Sequence, residues 1–173
     1  PGAPQALARG LGEPCAAAKR DAVSPAAMGR RVEAVLGRQA HPGVAISEVY
    51  ETDPVGGPEQ PEYYNAVVVL DTDAQPLEVL AAAHRAEQGR GRTREIRWGA
   101  RTLDVDVLAY GQQVSDDPVL TLPHPRALER AFVLVPWAQV DPGFPLPDGR
   151  TVAQVCATVP ADGIRRLGGF LRK

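Results

Sequence analysis

The sequence predicts an α+β sandwich, on three observations: its length, a loose alternation of strand and helix signals, and a hairpin-like pair of strand signals near its middle. A chain of 173 residues can bury one sizeable core and is too short to expect two, so residues 1–173 are read as one domain. Apolar residues make up 44% and charged residues 23%, the ordinary balance of a globular chain. Seventeen Gly and seventeen Pro predict many loops between the elements.

Residues 1–24 are rich in Ala, Gly and Pro and carry only weak periodicity. Ser24-Pro25 marks a helix start, with Ser as N-cap and Pro in the first turn. That helix is expected to run to about Arg38 and to bury Met28, Val32, Val35 and Leu36. His41-Pro42-Gly43 is a turn, and residues 44–50 alternate as a strand. Asp53 to Glu62 is a Gly/Pro-rich loop, too long for a tight hairpin and therefore suited to binding. Tyr64 to Asp71 contains an apolar run expected to be covered on both faces.

Pro76 opens a helix through about Gln88, with Leu77, Leu80, Ala81 and His84 on related faces. A basic stretch follows. Thr102 to Tyr110 alternates as a strand, Leu103, Val105 and Val107 facing one way and Asp104, Asp106 and Leu108 the other. After the loop at Pro123-His124-Pro125, Ala127 to Val135 reads as a helix ended by Pro136. The remainder is irregular before a short helix near Val152 to Ala157.

Net charge is −2, so nothing pulls the whole chain toward nucleic acid or an anionic membrane. No apolar stretch approaches the roughly 20 residues of a membrane span. The first residues lack the basic start and apolar run of a signal peptide. Cys15 and Cys156 have no metal-ligand spacing and are expected to be separate thiols in a cytoplasmic protein. The charge is uneven, however: residues 90–101 carry five Arg against one Glu.

Asp104 and Asp106 stand two apart on a strand, which points both carboxylates to one face with Cα atoms about 6.5–7 Å apart. Two such carboxylates repel unless a cation or a proton sits between them. Hard oxygen ligands suit magnesium, which keeps waters and takes substrate phosphates into its shell. A pair of acids on a solvent-facing strand would look the same, so this signal alone is weak.

Its neighbours add to it. Arg92, Arg94, Arg97 and Arg101 run straight into the acidic strand, flanked by Gly91 and Gly99, with Trp98 among them. Guanidinium groups fork onto phosphate oxygens, so this segment reads as a flap closing on polyphosphate, with Trp98 over a flat ring. A solvated turn or a nucleic-acid contact would also explain the arginines, and core packing would explain Trp98. Tyr63 and Asn65 offer a ring to stack on and a paired donor and acceptor for a heterocyclic amide edge. The plain alternative has Tyr63 capping the core and Asn65 ending a turn. His124 between two prolines, with Arg130 and Phe132 beyond, could bind phosphate or be structural. Glu87 reads as a partner for ribose or adenine, or as a solvent-facing acid. His41 and His84 look structural.

Taken together these segments resemble a known family. Tyr50-Glu51-Thr52-x-Pro54-x-Gly56 with Gln60-Pro61-x-Tyr63-x-Asn65-Ala66 is similar to the pterin-binding region of 6-hydroxymethyl-7,8-dihydropterin pyrophosphokinases. So is Gly91-Arg92-x-Arg94-x-x-Arg97-Trp98-Gly99-x-Arg101-Thr102-Leu103-Asp104-Val105-Asp106. Leu120-Thr121-Leu122-Pro123-His124-Pro125 and Arg130-Ala131-Phe132-Val133-Leu134 complete a match over residues 44–141.

The resemblance implies a ferredoxin-like sandwich, an antiparallel-rich sheet with helices packed on its faces. It implies transfer of pyrophosphate from ATP, the co-substrate, to the pterin hydroxymethyl group, giving AMP and the pterin diphosphate for folate biosynthesis. By position Asp104 and Asp106 hold two Mg2+ ions. Thr52, Val55, Tyr63 and Asn65 line the pterin pocket, with Trp98 and Phe132 across the ring. Arg92, Arg97, Arg101, His124 and Arg130 match nucleotide- and phosphate-contacting positions, and Glu87 one near the nucleotide. The partners are thus ATP and the pterin, with no nucleic acid and no membrane, and the chain is expected to be a monomer.

His84 stands where the family often has Gln, and Asp53 where Pro is common. Ala8-Arg9-Gly10 stands where the family has Gly-Ser-Asn after an apolar strand, and the residues before it are poor strand formers. That departure motivates an alternative, a divergent homologue that binds nucleotide or pterin without turnover. A nucleic-acid-binding domain using the Arg segment is a third reading, opposed by the acidic balance.

Overall fold

The computed structural model describes residues 5–10, 45–53, 63–88 and 104–168. The expected helix from Ser24 to Arg38, the turn at 41–43, most of the 53–62 loop, the basic segment and Cys15 lie outside them. Within them the chain is a mixed α+β structure whose paired strands are all antiparallel.

The strands are β1 (Gln5–Gly10), β2 (Ala45–Ile46), β3 (Val49–Thr52), β4 (Tyr63–Asn65), β5 (Val67–Asp71), β6 (Val105–Tyr110), β7 (Ser115–Asp117), β8 (Leu120–Leu122) and β9 (Ile164–Gly168). The helices are α1 (Pro76–Gln88), α2 (Ala131–Val140) and α3 (Val152–Cys156), with a 3-10 turn at Ala127–Glu129. One sheet has the order β2-β5-β1-β6, a second β4-β3-β9, and β7-β8 is a separate ribbon.

The first two sheets share one bent hairpin. Ala45 pairs with Val69 and Ile46 with Val68, but Tyr50 pairs with Asn65, so Ser47-Glu48-Val49 stands opposite only Ala66-Val67. The extra residue is a β-bulge, which bends the ribbon from one sheet into the next. Ser47 fills the gap: its Oγ accepts the Val67 N–H at 2.9 Å and donates to the Glu48 carbonyl at 2.8 Å. The 44–50 strand expected from alternation is therefore two short strands, one in each sheet.

β1 forms from weak strand formers because it lies between two partners, pairing Leu7 with Val69 on one side and with Ala109 on the other. Strand preference is largely context, and a central slot outweighs it. The β1–β6 register then slips by one, Leu7 facing Ala109 and Ala8 facing Val107, which leaves Leu108 as the extra residue. The strict alternation expected for this strand breaks there. Val107 and Tyr110 enter one core cluster, and Leu108 and Ala109 the other.

The larger cluster packs Val67, Val69, Leu108 and Ala109 of the sheet against Val133, Leu134 and Trp137 of α2 and Val152 and Val155 of α3. The smaller one joins Val107 and Tyr110 to Leu120 and Leu122 of β8, with Val79 and Leu80 of α1 against them. Pro136 does not end the third predicted helix but lies buried inside α2. Its penalty of about 3 kcal/mol is offset by full burial of Val133 and Leu134, at about 1.5–3 kcal/mol each. α3 starts on a capping box, the Thr151 hydroxyl accepting from Gln154 N–H and the Gln154 side chain accepting from Thr151 N–H.

α1 occupies its predicted span, with Pro76 first and Glu78 reaching back to the Gln75 N–H at 2.7 Å. Its inward face differs from expectation. Leu77 is 57% exposed, and Ala81 and His84 are exposed, whereas Ala83 and Glu87 are buried and Val79 and Leu80 pack against β6 and β8. Steps of four along 79, 83 and 87 meet the sheet, and of the expected stripe Leu80 packs with them.

Candidate active site

β6 carries Asp106 and is preceded by Asp104; both are half-buried. They line a cavity of about 380 Å³ between α1, the β7–β8 ribbon and the Pro123–Pro125 loop. His84 and Glu87 of α1, Thr121 of β8 and His124 form other parts of its wall.

Local structure explains each position. Among the described strands β6 is at an edge of its sheet, and groups on its outer side find partners in side chains and loops. Glu87, only 7% exposed, accepts the Val105 N–H on Oε1 at 3.0 Å. The His124 N–H donates to the Leu108 carbonyl at 2.8 Å, which seats the loop after the cis Leu122-Pro123 peptide against the strand. The His124 Nδ1 accepts from the Arg126 N–H at 3.3 Å, which helps to orient the ring. Glu87 is thus not the solvent-facing acid of the plainer reading.

Thr52, Tyr63 and Asn65 gather elsewhere, on β3 and β4. Asn65 is buried and donates from Nδ2 to the Thr52 Oγ1 at 2.8 Å, and the Thr52 hydroxyl reaches the Tyr63 carbonyl at 3.4 Å. Asn65 lies within a strand and does not end a turn. α2 packs against β3 and β4, and Phe132 stands in its first turn. The Arg130 guanidinium lies 5.6 Å from the centre of the Phe132 ring, a cation–π contact that joins these two residues. Neither of them lines the cavity beside the aspartates. Val55, Arg92, Arg97, Trp98 and Arg101 lie outside the described residues.

His84, expected to be structural, is part of the cavity wall. The signal for it was available: Leu80, His84 and Glu87 fall on one helical face at steps of four and three. The Pro118–Thr121 wall was out of reach, because nothing in the local pattern says that β7–β8 folds over α1.

Among the described residues no three or more His, Cys, Asp or Glu side chains come together as a cage for a metal ion. A pair of carboxylates offers hard oxygen ligands that suit magnesium, which completes its shell with water and phosphate oxygens.

Comparison with known proteins bears on the same residues. The model of the 7,8-dihydro-6-hydroxymethylpterin-pyrophosphokinase family matches residues 21–142, a span that holds every candidate site residue and begins after β1. A Pseudomonas aeruginosa protein named 2-amino-4-hydroxy-6-hydroxymethyldihydropteridine pyrophosphokinase is 46% identical over 126 residues, covering 73% of this chain and 78% of its own. A Methylorubrum extorquens protein of the same name is 43% identical over 132 residues, covering 74% of this chain and 82% of its own. Among solved structures, the wild-type Plasmodium falciparum HPPK-DHPS with pteroate superposes with a TM-score of 0.62 at 11% identity. That superposition covers 91% of this chain and 43% of the other, and at such low identity it speaks for the fold alone.

Proposed function

The chain belongs to the 7,8-dihydro-6-hydroxymethylpterin-pyrophosphokinase family, and we propose that the cavity beside Asp104 and Asp106 is where it handles the polyphosphate of ATP. It is an ATP-dependent pyrophosphokinase of folate biosynthesis. The observation that carries the site reading is the placement of the Asp104 and Asp106 carboxylates, His84 and His124 around one cavity.

In this reaction the pterin hydroxymethyl oxygen forms a bond to the β-phosphorus of ATP. The bond from that phosphorus to the oxygen bridging the α-phosphate breaks, AMP departs, and the hydroxyl proton is released to solvent with the products. Asp104 and Asp106 would hold the two magnesium ions, whose charge offsets that of the phosphate oxygens. His124 and Arg130, with Arg92, Arg97 and Arg101, donate hydrogen bonds to phosphate oxygens, and His84 and Glu87 bound the nucleotide side of the cavity. Thr52, Val55, Tyr63 and Asn65 hold the pterin edge, and Trp98 and Phe132 cover its faces. Fixing both reactants in line, with water excluded, supplies much of the acceleration.

The antiparallel order β2-β5-β1-β6, with α1 crossing between β5 and β6, supports a ferredoxin-like reading of a single domain. We read the chain as acting as a monomer.

The test is to incubate the chain with ATP, magnesium and 6-hydroxymethyl-7,8-dihydropterin and to measure AMP. Wild type should form it. Asp104→Ala and Asp106→Ala should each slow turnover roughly 10²- to 10⁴-fold with circular dichroism unchanged. Near-normal rates in both variants would remove the metal assignment, and binding without AMP formation would favour the non-catalytic homologue.

A further inference from the structure

Asp104 and Asp106 are held by different means. Asp106 lies inside the β1–β6 ladder, opposite Arg9. The last pair of that ladder is Gly10 with Val105, so Asp104 stands one residue beyond its end. Past that point no strand among the described residues lies on either side of the chain. Among the described residues, the backbone there is held by Glu87, whose Oε1 takes the Val105 N–H at 3.0 Å. That N–H belongs to the peptide unit joining Asp104 to Val105, so holding it restrains ψ of Asp104 and φ of Val105 together. A buried acid is a costly choice for this task unless its hydrogen bonds are made, and Glu87 is 7% exposed.

We propose that Glu87 is a positioning residue that aims the Asp104 carboxylate by fixing the Asp104–Val105 peptide, and so sets the affinity of the site for its divalent cation. This rests on the reading of Asp104 and Asp106 as the metal-bearing pair. It assigns Glu87 a role through the backbone of β6, distinct from a contact with ribose or adenine.

The experiment measures Mn2+ binding by electron paramagnetic resonance in the presence of α,β-methylene-ATP, which cannot be turned over. Glu87→Met keeps the volume and removes the acceptor; Glu87→Asp keeps the charge and shortens the reach, and serves if the Met variant does not fold. Each should weaken Mn2+ binding roughly tenfold, the usual scale for groups that orient metal ligands. Glu87→Gln retains an oxygen acceptor and should stay within about twofold of wild type. The Val105 amide resonance should move in the first two variants. In an Asp104→Ala background, Glu87→Met should cause no further loss, because the side chain it aims is gone. Wild-type Mn2+ affinity in Glu87→Met or Glu87→Asp, once the Val105 amide has shifted, overturns the proposal, as does a full additive loss in the double variant. If Asp104→Ala alone binds Mn2+ normally, the metal-pair reading itself falls and takes this proposal with it.

Discussion

Asn65 and Thr52, both proposed to hold the pterin edge, also hold each other. Their 2.8 Å hydrogen bond is buried, so each satisfies the other away from water. Removing the amide in Asn65→Ala leaves the Thr52 oxygen with one partner fewer. The expected cost is about 1–3 kcal/mol of stability, read from urea denaturation. The same variant should raise KM for the pterin while leaving KM for ATP near wild type; equal changes in both would argue against a pterin contact. The spacing of Tyr63 and Asn65 was legible in the sequence, because two residues on a strand share a face. Thr52 carried no such signal, and its pairing with Asn65 depends on how β3 and β4 lie side by side. The place of His84 in the cavity wall was only partly legible for a related reason: the surroundings of an exposed helical residue depend on the element opposite it.

The elements were legible where periodicity or a cap is local. α1 starts at Pro76 and β5 follows its apolar run, both as read. Elements defined by distant partners were not. β7, β8 and β9 are short and partly exposed, and β1 is a strand by virtue of its neighbours. The bulge at Ser47 is of the same kind, since alternation on one strand cannot reveal that its partner is a residue shorter. Ser47→Ala tests its importance. The variant leaves the buried Val67 N–H without the hydroxyl it donates to, and should lower unfolding free energy by about 1–3 kcal/mol. An unchanged urea midpoint would show that the bend holds without the plug.

Across the whole molecule, α2 is tied to the second sheet by a polar network on its outer side. Gln139 accepts from the Glu48 N–H at 2.8 Å and the Tyr50 hydroxyl at 3.2 Å, and its amide donates to Glu48 Oε2 at 2.8 Å. Arg166 of β9 pairs with the same Glu48 carboxylate. The Arg166 hydrogen bond, opposed by burial and helped by Gln139, holds the Glu48 carboxyl below its ordinary value of 4.5. A depressed carboxyl stabilises the folded state above its unfolded pKa, and that contribution is lost as pH falls through the folded value. The stability advantage of wild type over Glu48→Gln should therefore hold at pH 7 and shrink below about pH 4.5. Urea midpoints measured at both pH values check it; a gap that widens in acid would contradict the sign.

β9 closes a second tie, across the root of the 53–62 loop. Arg165 bridges Glu51 and Asp53, each at 2.8 Å. Gly163, at φ +74°, comes so near Asp53 that a Cβ there would lie 2.6 Å from the carboxylate. The central place of β1 has a consequence for how the chain assembles. The earliest of the described strands pairs only with β5 and β6, far downstream. Its amides and carbonyls must stay hydrated until most of the polypeptide has been made, so the cleft wall beside β6 is finished late. Closing those long loops, more than winding any helix, would then set the pace at which a newly synthesised molecule becomes competent.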